Sequence, residues 1–341
     1  MPTPDFSGKT FLVTGAAGFI GSHLTAQLLA RGAQVVGVDD FNPYYDPAIK
    51  EANVAPFAHH DGFELYRCDI RDLQALTAVF HRRGGDMVSG GIVHLAARAG
   101  VRPSLKEPRL YLETNVTGTL NLLELARAHE IGKFVFASSS SVYGDSPDTA
   151  PFNETQDVSR PISPYAATKA MGEALLHTYS HLYGIQAVAL RFFTVYGPGQ
   201  RPDLAIHKFT RLIDQGLSIP VFGDGSTRRD YTYIDDIIQG VVAAIAYEQT
   251  PFEIFNLGES QTTTLTALIE RIEDALGKRA VRDPQPAQPG DVSVTFANID
   301  KARRVLGYQP QTPVSEGIPR FVDWYRAYYA GHRQPAVVLA R

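Results

Sequence analysis

The stretch Thr14–Gly21, reading TGAAGFIG, decides the fold. It follows an apolar, β-rich run, Lys9–Thr14 (KTFLVT), and leads into Ser22–Arg31, whose apolar residues have helical spacing. Gln34–Asp39 (QVVGVD) is again strand-like. Strand, helix and strand within about thirty residues make a βαβ unit. Gly15, Gly18 and Gly21 fall where the chain leaves the strand and enters the helix. One permits the tight turn, one lets the backbone approach a pyrophosphate, and one lets helix and sheet pack closely. The helix N-terminus then offers amides and a partial positive charge to the anion. Glycine-rich turns are common, and the strand-turn-helix context gives this one its meaning. Asp39 closes the second strand, where a carboxylate can accept from both adenosine ribose hydroxyls and repel a 2′-phosphate. The predicted cofactor is therefore NAD rather than NADP.

Outward from that unit, further strands are predicted at Gly62–Arg67, Gly91–Leu95, Lys133–Ser138 and Gln186–Arg191. Helical patterns lie between them at Leu73–Phe80, Tyr111–His129 and Tyr165–Tyr183. The alternation predicts an α/β protein with a doubly wound, Rossmann-type parallel sheet. After about Phe193 turn residues become frequent, at Tyr196–Arg201 and Gly223–Arg228, interrupted by a helix-like segment, Tyr233–Tyr247. This predicts a smaller, mixed α/β C-terminal substrate domain. Pro284–Gly290 (PQPAQPG) is predicted as a loop, Phe321–Tyr329 as a closing helix and Gly331–Arg341 as a tail.

The chain has 341 residues, 44% hydrophobic and 20% charged, which suits two ordinary globular domains. A net charge of −4 favours neither nucleic acid nor an anionic membrane. The one cysteine, Cys68, excludes a disulfide within the chain and reads as a buried, inert thiol in a reducing compartment. Met1–Gly8 lacks the basic and apolar regions of a signal peptide, and no apolar run is long enough to span a bilayer. The expected location is the cytoplasm.

Tyr165-Ala-Ala-Thr-Lys169 opens a helical segment, so the two side chains share a face. A phenol, with a pKa of about 10, is a poor base at neutral pH. A neighbouring ammonium favours the phenolate. Tyr165 is thus a candidate general base, and Lys169 can also reach the nicotinamide ribose. Ala137–Gly144 (ASSSSVYG) ends a strand and offers four hydroxyls to a substrate; composition does not choose among them. Asp69, after the third strand, is placed to meet the adenine amino group.

With these pieces the chain resembles the extended short-chain dehydrogenase/reductase family over nearly its whole length. The matching motifs are TGAAGFIG, Asp39, Asp69-Ile70, His94-Leu-Ala-Ala97, Asn115-Val-Thr-Gly118, SSSSVYG, YAATK, Arg191-Phe-Phe-Thr194 and Arg229-Asp-Tyr231. The resemblance is strongest to nucleotide-sugar epimerases, which oxidise C4 to a ketone, rotate the sugar and return the hydride to the other face. Counted back from Tyr143, the family's catalytic Ser/Thr falls on Ser139, with Ser140 as the fallback, beside Tyr165 and Lys169. The implied NAD contacts are Gly15, Gly18, Phe19, Ile20, Gly21, Asp39, Asn42, Asp69, Ile70, Leu95, Ala96, Ala97, Arg98, Asn115 and Phe192, with Tyr165 and Lys169. Dehydratases of the family carry an Asp-Glu pair directly after the catalytic Ser/Thr, and UDP-glucuronate decarboxylases a glutamate before Val-Tyr-Gly. Ser140 and Ser141 stand there instead, which leaves epimerisation.

Asp39–Asp46 (DDFNPYYD), Ala96–Pro108 (AARAGVRPSLKEP) and Arg191–Ala205 (RFFTVYGPGQRPDLA) resemble the UDP-glucuronate 4-epimerases in particular. The implied substrate is a UDP-sugar, UDP-glucuronate. Arg201 is the first candidate for its carboxylate and Arg102 the second, since a guanidinium matches a carboxylate in two-pronged fashion. Ser139, Ser140 and Thr194 would meet the sugar or diphosphate, Arg229 the diphosphate, Val221 and Phe222 the nucleotide, and Asp291 the uridine ribose. A 4-keto-glucuronate is a β-keto acid that loses CO₂ readily, so Arg201 is expected to hold the carboxylate away from the geometry that favours the loss. The resemblance also implies a homodimer paired through about 108–129 and 164–183. It divides the chain into a NAD-binding part (1–192 plus about 233–260), a nucleotide-sugar part (193–232 and 261–330) and a tail (331–341). Other readings are an epimerase of neutral UDP-glucose, a decarboxylase, and a non-enzymatic NAD sensor. The last is disfavoured because Tyr165 and Lys169 are both present.

Overall fold

The computed structural model describes residues 4–145, 151–286 and 294–331. Six strands alternate with helices through the first part of the chain. The strands are β1 (Thr10–Thr14), β2 (Gln34–Asp39), β3 (Phe63–Arg67), β4 (Gly91–His94), β5 (Lys133–Ser139) and β6 (Gln186–Phe192). The helices are α1 (Phe19–Leu29), α2 (Pro47–Val54), α3 (Leu73–Met87), α4 (Val101–Lys106), α5 (Pro108–Leu112), α6 (Gly118–Ala128) and α7 (Pro164–Tyr183). The later strands are β7 (Thr194–Tyr196), β8 (Ser218–Phe222), β9 (Arg228–Arg229), β10 (Tyr231–Tyr233), β11 (Phe252–Leu257), β12 (Thr263–Thr264) and β13 (Val281–Gln285). With them come α8 (Ala205–Asp214), α9 (Ile234–Ile245), α10 (Leu265–Leu276), α11 (Asp300–Leu306) and α12 (Val314–Ala330).

The main sheet has seven strands in the order β11-β6-β5-β4-β1-β2-β3. Every neighbouring pair in it is parallel. Parallel strands are buried on both faces, and all five residues of β1 are buried. The strand order reverses between β1 and β4, so a crevice opens beyond their carboxyl ends, where open α/β sheets bind ligands. The doubly wound, Rossmann-type sheet is as predicted. Its seventh strand, β11, is not among the predicted strands. The chain reaches it only after passing through β7 to β10 and α9.

The structure corrects two predicted elements. Tyr111–His129 is not one regular helix: α5 runs through a π-helical turn, Glu113–Thr117, into α6. The widened turn carries Asn115 inward to 2% exposure, a use of such turns that recurs at functional sites. The loop expected from Pro284 begins inside β13, which pairs in parallel with β8 (Val221 with Pro284, Phe222 with Gln285). Its end, like Gln288, Asp291 and residues 332–341, lies outside the described residues. Helix α7 is well bounded: Ser163 accepts from the Ala166 amide at 3.1 Å, Pro164 occupies the first turn, and Gly184 closes it at φ 71°. Among the described residues no helix is long and apolar enough to cross a membrane.

Candidate active site

A cleft of about 420 Å³ lies at the carboxyl ends of β1, β2, β4 and β5. Its floor is the turn between β1 and α1. Gly15 has φ +71°, and a Cβ there would come within 2.9 Å of the Ala96 amide nitrogen. A Cβ on Gly21 would come within 2.0 Å of the Gly15 carbonyl oxygen. Only glycine fits at either place. Gly18 begins α1 with no side-chain cap, which leaves the first-turn amides facing the cleft. The tight turn and the close backbone approach that the glycine spacing predicts are both present.

Asp39 lines the cleft at the end of β2 and is 4% exposed. Its carboxylate accepts from the Ala17 amide at 3.2 Å, the Phe41 amide at 2.9 Å and Lys50 Nζ at 2.8 Å. Lys50, on α2, is a cleft residue that the sequence reading lacks. Asn42, Asp69, Ile70, Leu95, Ala96, Ala97, Arg98, Phe19, Ile20 and Phe192 all line the same cleft. The Asp69 carboxylate is gripped by Arg71 through Nε and Nη2, the latter at 2.6 Å. Asn115 is placed differently: it stands behind the wall, accepting from the Arg98 amide at 2.8 Å and donating to the Arg98 carbonyl at 2.9 Å. It shapes the Arg98 loop rather than facing the cleft.

The four serines of the β5 end separate into distinct places. Ser138 turns away and donates to Glu173 at 2.5 Å. Ser139 caps the short turn after β5, accepting from the Ser141 amide at 3.2 Å, and lines the cleft with Tyr165. Ser140 and Ser141 line the cleft beside it. Burial raises the Tyr165 phenol above its ordinary value; the neighbouring Ser139 hydroxyl and the charge of Arg201 work the other way. The sequence reading gives that role to Lys169. In the structure Lys169 Nζ is turned onto the Ala137 carbonyl at 2.7 Å and lies 4.8 Å from the centre of the Phe136 ring. Burial lowers Lys169 to about 7, against the pull of Glu173.

Arg201 and Thr194 line the cleft on its other side. The Arg201 guanidinium is held by Asp203 in a two-pronged pair, at 3.0 and 2.6 Å, and lies over the Tyr44 ring, as does that of Arg98. Asp203 and Tyr44 are further neighbours that sequence reasoning missed. Arg102, Val221, Phe222 and Arg229 do not line this cleft. Arg102 stacks on Phe222 at 4.9 Å, joining α4 to β8, and Arg229 donates to the Arg228 carbonyl.

A glycine-lined cleft beyond the carboxyl ends of a Rossmann-type sheet, with Asp39, Ser139 and Tyr165 among its lining residues, is the arrangement of a short-chain dehydrogenase/reductase scaffold. The family model described as GDP-mannose 4,6 dehydratase, a branch of the extended form of that scaffold, matches residues 12–321, and the chain belongs to this family. A UDP-glucuronate 4-epimerase of Thermodesulfobacterium geofontis is 43% identical over 92% of this chain and 95% of its own length. UDP-glucuronate 4-epimerase 4 of Arabidopsis thaliana is 41% identical over 97% of this chain and 78% of its own. Among solved structures, the UDP-glucuronic acid 4-epimerase of Bacillus cereus, bound to UDP-glucuronic acid and NAD, is similar with a TM-score of 0.86. It is 36% identical over 94% of this chain and 100% of that one. A UDP-glucose 4-epimerase of Thermotoga maritima is also similar, with a TM-score of 0.84 at 31% identity over 94% of this chain and 99% of that one.

Proposed function

We propose that this protein is an NAD-dependent epimerase that interconverts UDP-glucuronate and UDP-galacturonate at C4. The observation that carries the reading is that Tyr165 and Ser139 line one cleft with the glycine turn, with Ser140 and Ser141 where other chemistries of the family need carboxylates. Gly15, Gly18, Gly21, Asp39 and Lys50 form a site that fits NAD, which supplies the hydride acceptor and donor when bound. Tyr165 takes the proton of the sugar's C4 hydroxyl as the ketone forms and returns it to the C4 oxygen when the rotated ketone is reduced on its other face. Ser139 fixes that hydroxyl, and Lys169 supports the phenolate. Arg201, exchanging with or sharing Asp203, meets the sugar carboxylate, with Thr194 beside it. Val221, Phe222 and Arg229 serve the nucleotide end from β8 and β9, and Arg102 acts there through Phe222.

The sugar-binding part is read as 193–232 and 261–330, the remainder up to 330 as the NAD-binding part. Two copies are read as pairing through α5 to α7, where Leu112, Leu120, Met171 and Leu182 are exposed. A buried single thiol suits the reducing cytoplasm.

Incubating the protein with UDP-glucuronate and with UDP-glucose, and following products by NMR, tests the reading. UDP-galacturonate should form from the first, with little turnover of the second. Preferred turnover of UDP-glucose would reassign the substrate, and a UDP-pentose with CO₂ would reassign the reaction. Arg201→Ala should weaken binding of the acid sugar and release some pentose; full turnover with no pentose would remove Arg201 from this role.

A further inference from the structure

Beneath the cleft lies a charged pair that the chemistry above does not use. Tyr165, Lys169 and Glu173 follow one another at one-turn intervals along α7. The Glu173 carboxylate accepts from Arg191 Nε at 2.9 Å and Nη2 at 2.7 Å, and from Ser138 Oγ at 2.5 Å. The two side chains are 6% and 2% exposed. Ser138 on β5 and Arg191 on β6 are partners in the sheet register, so the ladder itself aims both donors at Glu173. Arg191 also lies 4.8 Å from the centre of the Tyr143 ring, and the Tyr143 hydroxyl donates to Asn256 on β11 at 2.6 Å.

A buried ion pair is weak in stability terms, since apolar replacements of similar volume are often neutral or stabilising. Its placement suggests another purpose. Lys169 is itself buried and reaches only as far as the Ala137 carbonyl, next in sequence to Ser138. A bare carboxylate one turn away would draw the ammonium back along α7. A bare guanidinium at Arg191 would repel it.

We propose that the Glu173–Arg191 pair is a positioning device for Lys169: Arg191 and Ser138 hold the Glu173 carboxylate off the ammonium, which stays on Ala137, one turn along α7 from Tyr165. Glu173 and Arg191 act through Lys169 and are not catalytic residues. The other titratable groups around Lys169 and the pair are Tyr165 on α7, His94 on β4, Tyr143 under Arg191 with Glu154 beside it, and Tyr111 against the Tyr165 ring. His94 is held at about 3 by burial and by Lys169, so it stays neutral through the working range.

The inference rests on the proposed reaction for the use of Lys169, but its test does not need the sugar. The holoenzyme is prepared with ¹³Cε-lysine, and the Lys169 signal is assigned by its loss in Lys169→Met. Its titration is then followed by NMR. In Glu173→Gln the unmatched Arg191 should move the Lys169 midpoint down by about one pH unit or more. In Arg191→Met the freed carboxylate should move it up by a similar amount. The alkaline limb of kcat should shift in the same two directions with KM little changed. Opposite shifts are what a merely structural pair would not produce. Shifts in one direction only, or none in either variant, would overturn the proposal. If Arg191→Met does not fold, Arg191→Gln replaces it, and a midpoint at or below the native one would be equally fatal.

Discussion

Tyr165 has the most to lose from a single atom. Replacing it with Phe removes the oxygen it presents to the cleft beside Ser139 and leaves the ring packing near Tyr111 intact. The expected result is a loss of about 10²–10⁴-fold in kcat, the range for removing a positioned acid/base. NAD content should be unchanged, measured after release from the denatured protein. A variant retaining a tenth of the activity would disqualify Tyr165 as the base. At this scale the glycines, Asp39 and Tyr165 were readable from spacing, because each answers to a neighbour close in sequence or to a fixed backbone geometry. Lys50, Asp203 and Arg191 were not. Their roles depend on partners brought together by the fold: Asp39 by the turn into α2, and Glu173 by the register of β5 with β6. Asp203 is close in sequence to Arg201, yet nothing in RPD says that the pair closes on itself.

Among the elements, the turn between β9 and β10 is tied down by one residue. Asp230 accepts from the amides of Glu259, Ser260 and Ala297, joining that turn to the end of β11 and the chain before α11. Glu259 stands beside it, and its Oε2 is buried with no hydrogen-bond partner among the described residues. Burial, then the charges of Asp236 and Asp230, raise Glu259 to about 7. A carboxyl whose folded value lies above its unfolded one costs stability when ionised. That cost is full above pH 7 and is lifted as the pH falls toward the ordinary carboxylate range. Glu259→Gln should therefore raise Tm at pH 8 by about 1–3 °C and change it little at pH 5.5. Scanning calorimetry of both proteins across that range checks it; a Tm difference that does not vary with pH is the contrary result. The periodic helices α1, α3 and α7 were legible as elements because their apolar spacing is regular. The π-helical turn at Glu113–Thr117 was not, since its cause is Asn115 reaching the Arg98 backbone rather than any local pattern.

On the scale of the whole molecule, the leucines and Met171 exposed on α5 to α7 are the measure of assembly. If two copies pair there, Met171→Glu should turn a dimer into a monomer by light scattering while the fold, followed by circular dichroism, persists. A native monomer at micromolar concentration would dispose of the dimer. The alternation of strand and helix made the main sheet legible as far as β6. The seventh strand was hidden because the chain leaves the sheet before returning to it, and short strands in a turn-rich region carry little period.

That excursion has a consequence for how the protein is made. Among the described residues, the outer edge of β6, an apolar strand, pairs with β11 alone. On the ribosome, everything from Thr194 to Thr250 must be synthesised before β11 exists, which at about 5–20 residues per second leaves the β6 edge open for several seconds. An open, apolar strand edge is a template for pairing with another chain. The nascent protein thus passes through a period in which its most advanced domain is nearly complete and yet most adhesive, and slow codons or cold between those residues should lengthen its dependence on chaperones.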